Sequence, residues 1–124
     1  MTTHTMPLSF TRPPLNLNQR LHWRKKAAIT RELRREAWVR ARGMRLGLYP
    51  HITVTLHWQA PDRRRRDSIN PTPTHKALVD GLVDAGVIPD DTPQYVTEHM
   101  PVIHQFEPGT PASCWLEITA QENR

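Results

Sequence analysis

The sequence predicts one small α/β (α+β) domain over residues 1–124, a mixed β-sheet with two helices packed on it in the order β-α-β-α-β-β. Three observations carry this reading. Two-residue alternation runs from His51 to Gln59 and returns from Cys114 to Ala120. An apolar stripe with spacings of three and four runs from about Arg24 to Met44. A second apolar helical stretch follows Thr72 and stops at Gly86. At 124 residues the chain suffices for one core and is too short for two well-formed ones.

Each element has its own signal. Met6, Leu8 and Phe10 alternate and predict a short first strand. Pro13-Pro14 then forces an extended turn, because proline fixes its own φ and restricts the residue before it. Ile29, Leu33, Ala37, Ala41, Met44 and Leu48 form the stripe of the first helix, with Arg31, Arg34, Arg35 and Arg42 mostly off it. Gly43 and Gly47 are the expected stops. In the next strand Ile52, Val54, Leu56 and Trp58 face one way, which places Trp58 in the core. Pro61 ends that strand, and Arg63 to Asp67 is a charged loop. Thr72-Pro73 supplies an N-cap and a proline at the first helical position. Leu78, Val79, Leu82 and Val83 form the apolar face of this second helix, and Gly86 takes the position just past its end. Asp90-Asp91 follows in a turn. Tyr95 to Ile103 reads as a weaker strand interrupted by Pro101, and Glu107 to Pro111 as a turn. Cys114, Leu116, Ile118 and Ala120 alternate in the last strand, with Cys114 as a core residue.

Charge is distributed unevenly. Residues 1–66 carry fifteen basic and three acidic side chains, net +12; residues 67–124 carry two basic and nine acidic ones, net −7. Fourteen of the seventeen basic residues are Arg, whose planar fork suits phosphate oxygens. The basic half therefore fits a polyanion partner and equally a solvated basic face. No apolar run approaches the roughly 18 residues of a membrane span, so no membrane association is expected. Met1 to Phe10 lacks the pattern of a secretory signal peptide. The single Cys114 cannot form an internal disulfide, and a reducing cytoplasmic compartment is expected.

Three constellations could carry chemistry. Arg63, Arg64, Arg65 and Arg66 would meet several phosphates with charge-assisted bonds, although such a run also serves as a solvated turn. Asp67 follows directly, and a carboxylate among phosphate-binding arginines repels nucleic acid unless a cation lies between them. Asp90 and Asp91 follow the second helix. If they converge with Asp67, their hard oxygens suit Mg²⁺ and metal-assisted phosphodiester hydrolysis; otherwise they are an ordinary acidic turn. Lys76 is the only lysine after Arg66. It would contact a scissile phosphate or leaving oxygen, or else form a surface pair with Asp80. No HExxH, Cys/His ligand spacing, P-loop or GxGxxG occurs.

The segment Pro61 to Asp67, followed by Asn70, Lys76, Asp80, Leu82, Ala85-Gly86 and Asp90-Asp91, resembles the RusA family of Holliday junction resolvases of phages and prophages. Pro13-Pro14, Asn18 and Arg20 before a basic helix extend the likeness from about Leu8 to Ala120. The resemblance implies Mg²⁺-dependent (or Mn²⁺-dependent) cleavage of four-way DNA junctions in recombination and repair by a homodimer, in a bacterial host's cytoplasm. It assigns metal binding to Asp67 and Asp91 with Asp90 beside them, a catalytic lysine to Lys76 and a motif asparagine to Asn70. Arg63 to Arg66, with Arg20, Arg24, Lys25 and Lys26 at the first helix, become the expected DNA grip. One position departs. The family pattern Asp-x-Asp-Asn is here Asp67-Ser68-Ile69-Asn70, and isoleucine neither ligates nor accepts a proton. Two expectations follow: an active junction endonuclease, or a weakened or inactive dimer that binds branched DNA.

Overall fold

The computed structural model describes residues 1–122. Its elements are β1 (Thr2–Pro7), α1 (Trp23–Gly43), β2 (His51–Gln59), α2 (Thr72–Asp84), β3 (Val96–Glu98), β4 (Val102–His104) and β5 (Ser113–Gln121). They build a small α+β domain with one mixed sheet and two helices. The stretch expected as one interrupted strand is two strands of three residues each. Pro101 has no N–H for the ladder, so pairing stops there and resumes beyond it.

The sheet order is β1-β5-β2-β3, with β4 also on β2. β5 lies antiparallel between β1 and β2, while β3 and β4 both run parallel to β2. Met6, Ile52, Val54, Leu56, Leu116 and Ile118 on one sheet face are fully buried with Leu78 and Leu82 of α2. Each such side chain contributes roughly 1.5–3 kcal/mol of burial. Leu33, Ala37 and Ala41 of α1 complete the core. The helices meet at Gly81, where an added Cβ would lie 2.4 Å from the Arg34 carbonyl oxygen and 2.7 Å from Ala37 Cβ. Arg34 also grips Asp84 with two hydrogen bonds of 2.9 and 2.8 Å across the same crossing.

The helix ends differ from the sequence expectation in three places. α1 begins at Trp23 because the His22 ring accepts from the Arg24 N–H at 3.2 Å and acts as the cap. It ends through Arg45 at φ 57° rather than through Gly43 or Gly47. The Arg45 N–H bonds to the Arg42 carbonyl and Leu46 N–H to Ala41, both 3.0 Å, the double bond pattern of a Schellman motif. At α2, Pro71 stands at the N-cap and Thr72 is already helical; its hydroxyl donates to the Ile69 carbonyl at 2.8 Å. The other end follows expectation. Gly86 at φ 78° closes the same motif, with Gly86 N–H to Val83 and Val87 N–H to Leu82. Leu48 lies beyond α1 and is exposed, so the apolar stripe ends at Met44. Among the described residues no helix is long and apolar enough to cross a membrane.

Candidate functional site

The reversal at Gly86 sends the following segment back along α2. It carries Asp91 to the start of that helix, where the Lys76 ammonium donates to Asp91 and, at 3.0 Å, to Asp80. Asp80 is one helical turn from Lys76, the i, i+4 spacing that places both on one face. Burial opposes the charge on Lys76, but the hydrogen bonds to Asp91 and Asp80 outweigh it and raise its pKa. The same hydrogen bond from Lys76 holds the Asp91 carboxyl below its ordinary value. Asp90 turns inward on the backbone: its Oδ1 accepts from the Asp91 N–H at 2.8 Å. It fixes the position of Asp91 while remaining exposed itself.

Two residues of this neighbourhood were not expected. Glu98 lies on β3 opposite Val54, on the helix side of the sheet. Burial raises its pKa, with Lys76 opposing and Asp91 and Asp80 adding. His75 is 3% exposed, and its Nε2 has no hydrogen-bond partner and stands 3.9 Å from Glu98 Oε1. Burial, aided by His99, pushes His75 down to about 4, so it is neutral at pH 7. The signal for Glu98 was present in its phase. It sits two residues after the buried Val96, on the same strand face.

The arginine run divides. Arg66 is consumed internally: its guanidinium donates to Asp62 Oδ1 at 2.7 Å and to the carbonyls of Asp62 and Arg64. Its side chain is only 17% exposed, so this one of the four expected phosphate ligands is committed to the loop. Asp62 also accepts from the Arg64 N–H at 2.9 Å, and these contacts, the Arg64 backbone first, lower its pKa. Arg63, Arg64 and Arg65 remain exposed, with Arg63 resting over Phe106 at 5.5 Å. At the other basic patch, Arg20, Arg24, Lys25 and Lys26 are all exposed around the start of α1. The first turn of α1 contains no acidic residue, so its positive end is left uncompensated. Arg24 lies over the exposed Trp23 ring at 5.1 Å.

Asp67 and Asn70 share a cavity of about 440 Å³ with Trp58, Arg66 and Asn18. Trp58 is therefore half-buried at a cavity wall rather than in the core. It is anchored by a hydrogen bond of 3.0 Å from its ring N–H to the Thr11 carbonyl, with Arg66 over its ring at 4.9 Å. Ile69 between Asp67 and Asn70 is 50% exposed. The structure thus joins Lys76, Asp80 and Asp91 directly. No hydrogen bond or ion pair connects Asp67 to them, and among the described residues no three His, Cys, Asp or Glu side chains converge to hold a metal ion. Cys114 is buried on β5, which pushes its thiol up to about 12 and leaves it inert. No protein-family model matches the chain, and a search of curated proteins returns no match.

Proposed function

We propose that this chain is a Mg²⁺-dependent, structure-specific endodeoxyribonuclease acting on four-way DNA junctions as a homodimer. The observation that carries the reading is the pairing of Lys76 in the first turns of α2 with Asp91 in the segment that returns after Gly86. Arg63, Arg64 and Arg65 then bind backbone phosphates, which position branched DNA without reading its sequence. Arg20, Arg24, Lys25 and Lys26 add a second patch, where phosphates offset the uncompensated end of α1. Asp67 and Asp91 are the residues that would hold Mg²⁺, with Asp90 bracing Asp91 and Asn70 beside Asp67. Their hard oxygens fit that ion, which commonly takes one or two carboxylates and completes its shell with water and substrate phosphate. Bound Mg²⁺ supplies phosphoryl polarisation and a more acidic water. Lys76 places its charge toward the leaving oxygen after exchanging a carboxylate partner for phosphate.

The test is a synthetic four-way junction with Mg²⁺ or Mn²⁺. Paired nicks in opposed strands are expected, and chelator abolishes them. Intact junction after prolonged incubation with folded protein at high concentration contradicts the enzymatic reading.

A second reading has its own support in Ile69. The half-exposed isoleucine stands where the resembled pattern has a carboxylate. In that reading the protein holds branched DNA without cutting it. Binding is then tight, sensitive to salt and indifferent to chelator.

A further inference from the structure

We infer that the cavity of about 440 Å³ beside Asp67 is a pocket for a single unstacked nucleobase of the branched DNA, an inference that rests on the junction-processing reading above. Its wall is planar and pre-stacked. The Arg66 guanidinium lies 4.9 Å from the Trp58 ring centroid, and both line the cavity. Neither is free to collapse, because Arg66 is tied to Asp62 at 2.7 Å and Trp58 to the Thr11 carbonyl at 3.0 Å. An aromatic or guanidinium plane attracts any base by stacking.

The segments that bring Asn18 and Asn70 to the cavity are also fixed. Leu15 exchanges hydrogen bonds of 2.9 and 2.7 Å with the buried Thr74 hydroxyl, and the Leu17 N–H bonds to the Asn70 carbonyl at 3.0 Å. These bonds hold the segment that carries Asn18 against the start of α2. The side-chain amides of Asn18 and Asn70 make no hydrogen bond within the described residues and border the cavity. Each offers a donor and an acceptor, the pairing that matches a base edge. An apolar or planar wall with a few unengaged polar groups is the usual form of a small-ligand pocket.

A phosphate fits the same space poorly. The guanidinium of Arg66 is already spent on Asp62 and two carbonyls, so it has no free fork to offer a phosphate. A base inside a continuous duplex cannot reach such a pocket, whereas a base at a branch point or one turned out of its stack can. The pocket thereby gives a protein that grips phosphates a way to favour one nucleotide position at the branch.

The experiment uses the full chain and four-way junctions with one abasic nucleotide moved stepwise through the branch point. Binding is read by fluorescence anisotropy. At one position per symmetry-related strand, loss of the base is expected to weaken wild-type binding about 5- to 150-fold, the range of one stacked base. With Trp58→Leu that position is expected to lose its distinction. A 2-aminopurine placed there is expected to be quenched when wild-type protein binds, a readout independent of the variant's folding. Equal binding at every abasic position, or no quenching at any position, overturns the pocket while leaving the junction reading intact. Wild-type protein that prefers no branched DNA over duplex overturns both together.

Discussion

The Lys76 ammonium is hydrogen-bonded to the Asp91 carboxylate, fifteen residues further along the chain. The contact exists because Gly86 reverses the chain after α2, so its energetic and chemical roles can be separated. Lys76 is 54% exposed, and an exposed ion pair contributes at most about 1 kcal/mol. Lys76→Met is expected to change stability by no more than that while reducing junction nicking by about 100-fold or more. The signs of the two shifts are opposite. The lowered Asp91 pKa gives stability that is present above the ordinary value of 3.8 and lost as pH falls through the folded value. The raised Lys76 pKa gives stability present below 10.5 and lost as pH rises through the folded value. The pair is therefore intact at neutral pH and loosens only toward the acid and alkaline extremes. In Lys76→Met, carboxyl NMR is expected to show Asp91 titrating closer to 3.8.

Ile69→Asp restores a carboxylate two residues from Asp67 at an exposed position, so folding is expected to be unaffected. If the missing group limits catalysis, Mg²⁺-dependent nicking rises by about tenfold or more over the parent chain. A well-folded Ile69→Asp protein with unchanged nicking would show that this carboxylate is not the limiting feature.

His75 sets an acid limit. Its folded pKa of about 4 lies below the ordinary 6.5, so the unfolded chain binds more protons between those values. Stability is full above pH 6.5 and falls as pH decreases toward 4, by on the order of 3 kcal/mol from this group. Urea unfolding at pH 7 and pH 5 measures the slope. The slope is expected to shrink in His75→Gln.

Gly81→Ala places a methyl group within 2.4 Å of the Arg34 carbonyl and 2.7 Å of Ala37. The helices must separate, and the expected loss is about 1–3 kcal/mol despite alanine's better helix propensity. Thermal unfolding detects it. Spreading of α1 from α2 also weakens the Arg34–Asp84 pair, so Asp84→Asn is expected to be less costly in the Gly81→Ala background.

Arg45→Gly acts in the other direction. Arg45 holds φ 57°, a conformation that costs a side chain roughly 1 kcal/mol. Glycine there is expected to raise stability by about 0.5–1 kcal/mol, read as a higher urea midpoint with an unchanged slope.

What the chain discloses on inspection is what repeats locally. The alternation of Ile52, Val54 and Leu56, and the spacing of Leu33, Ala37 and Ala41, are written at short range and reappear as buried faces. Gly86 was legible for the same reason: a glycine past an apolar stretch has one common use. Arg45 was not, because a non-glycine residue enters the left-handed region only where the surrounding bonds compel it. Trp58 was misjudged since alternation reports a face but not how far a sheet end is covered. The site shows the same division. The residue types were readable in the sequence, but the contact of Lys76 with Asp91 depends on the path after Gly86. Arg66 looked like its three neighbours until Asp62 was found holding it.

The order of strands has a consequence for how the molecule is assembled in time. β5 is made after every other element described, yet it fills the place between β1 and β2, pairing Thr2 with Ala120 and His51 with Gln121. Until it emerges, β1 has no neighbour and the inner face of β2 is half walled. α1 and α2 can dock before β5 is available, although β2 separates them in the chain, but the sheet is completed only by a closure between distant parts of the chain. A nascent chain stalled before Ser113 therefore exposes apolar surface that the finished protein hides, and it is the intermediate most in need of a chaperone.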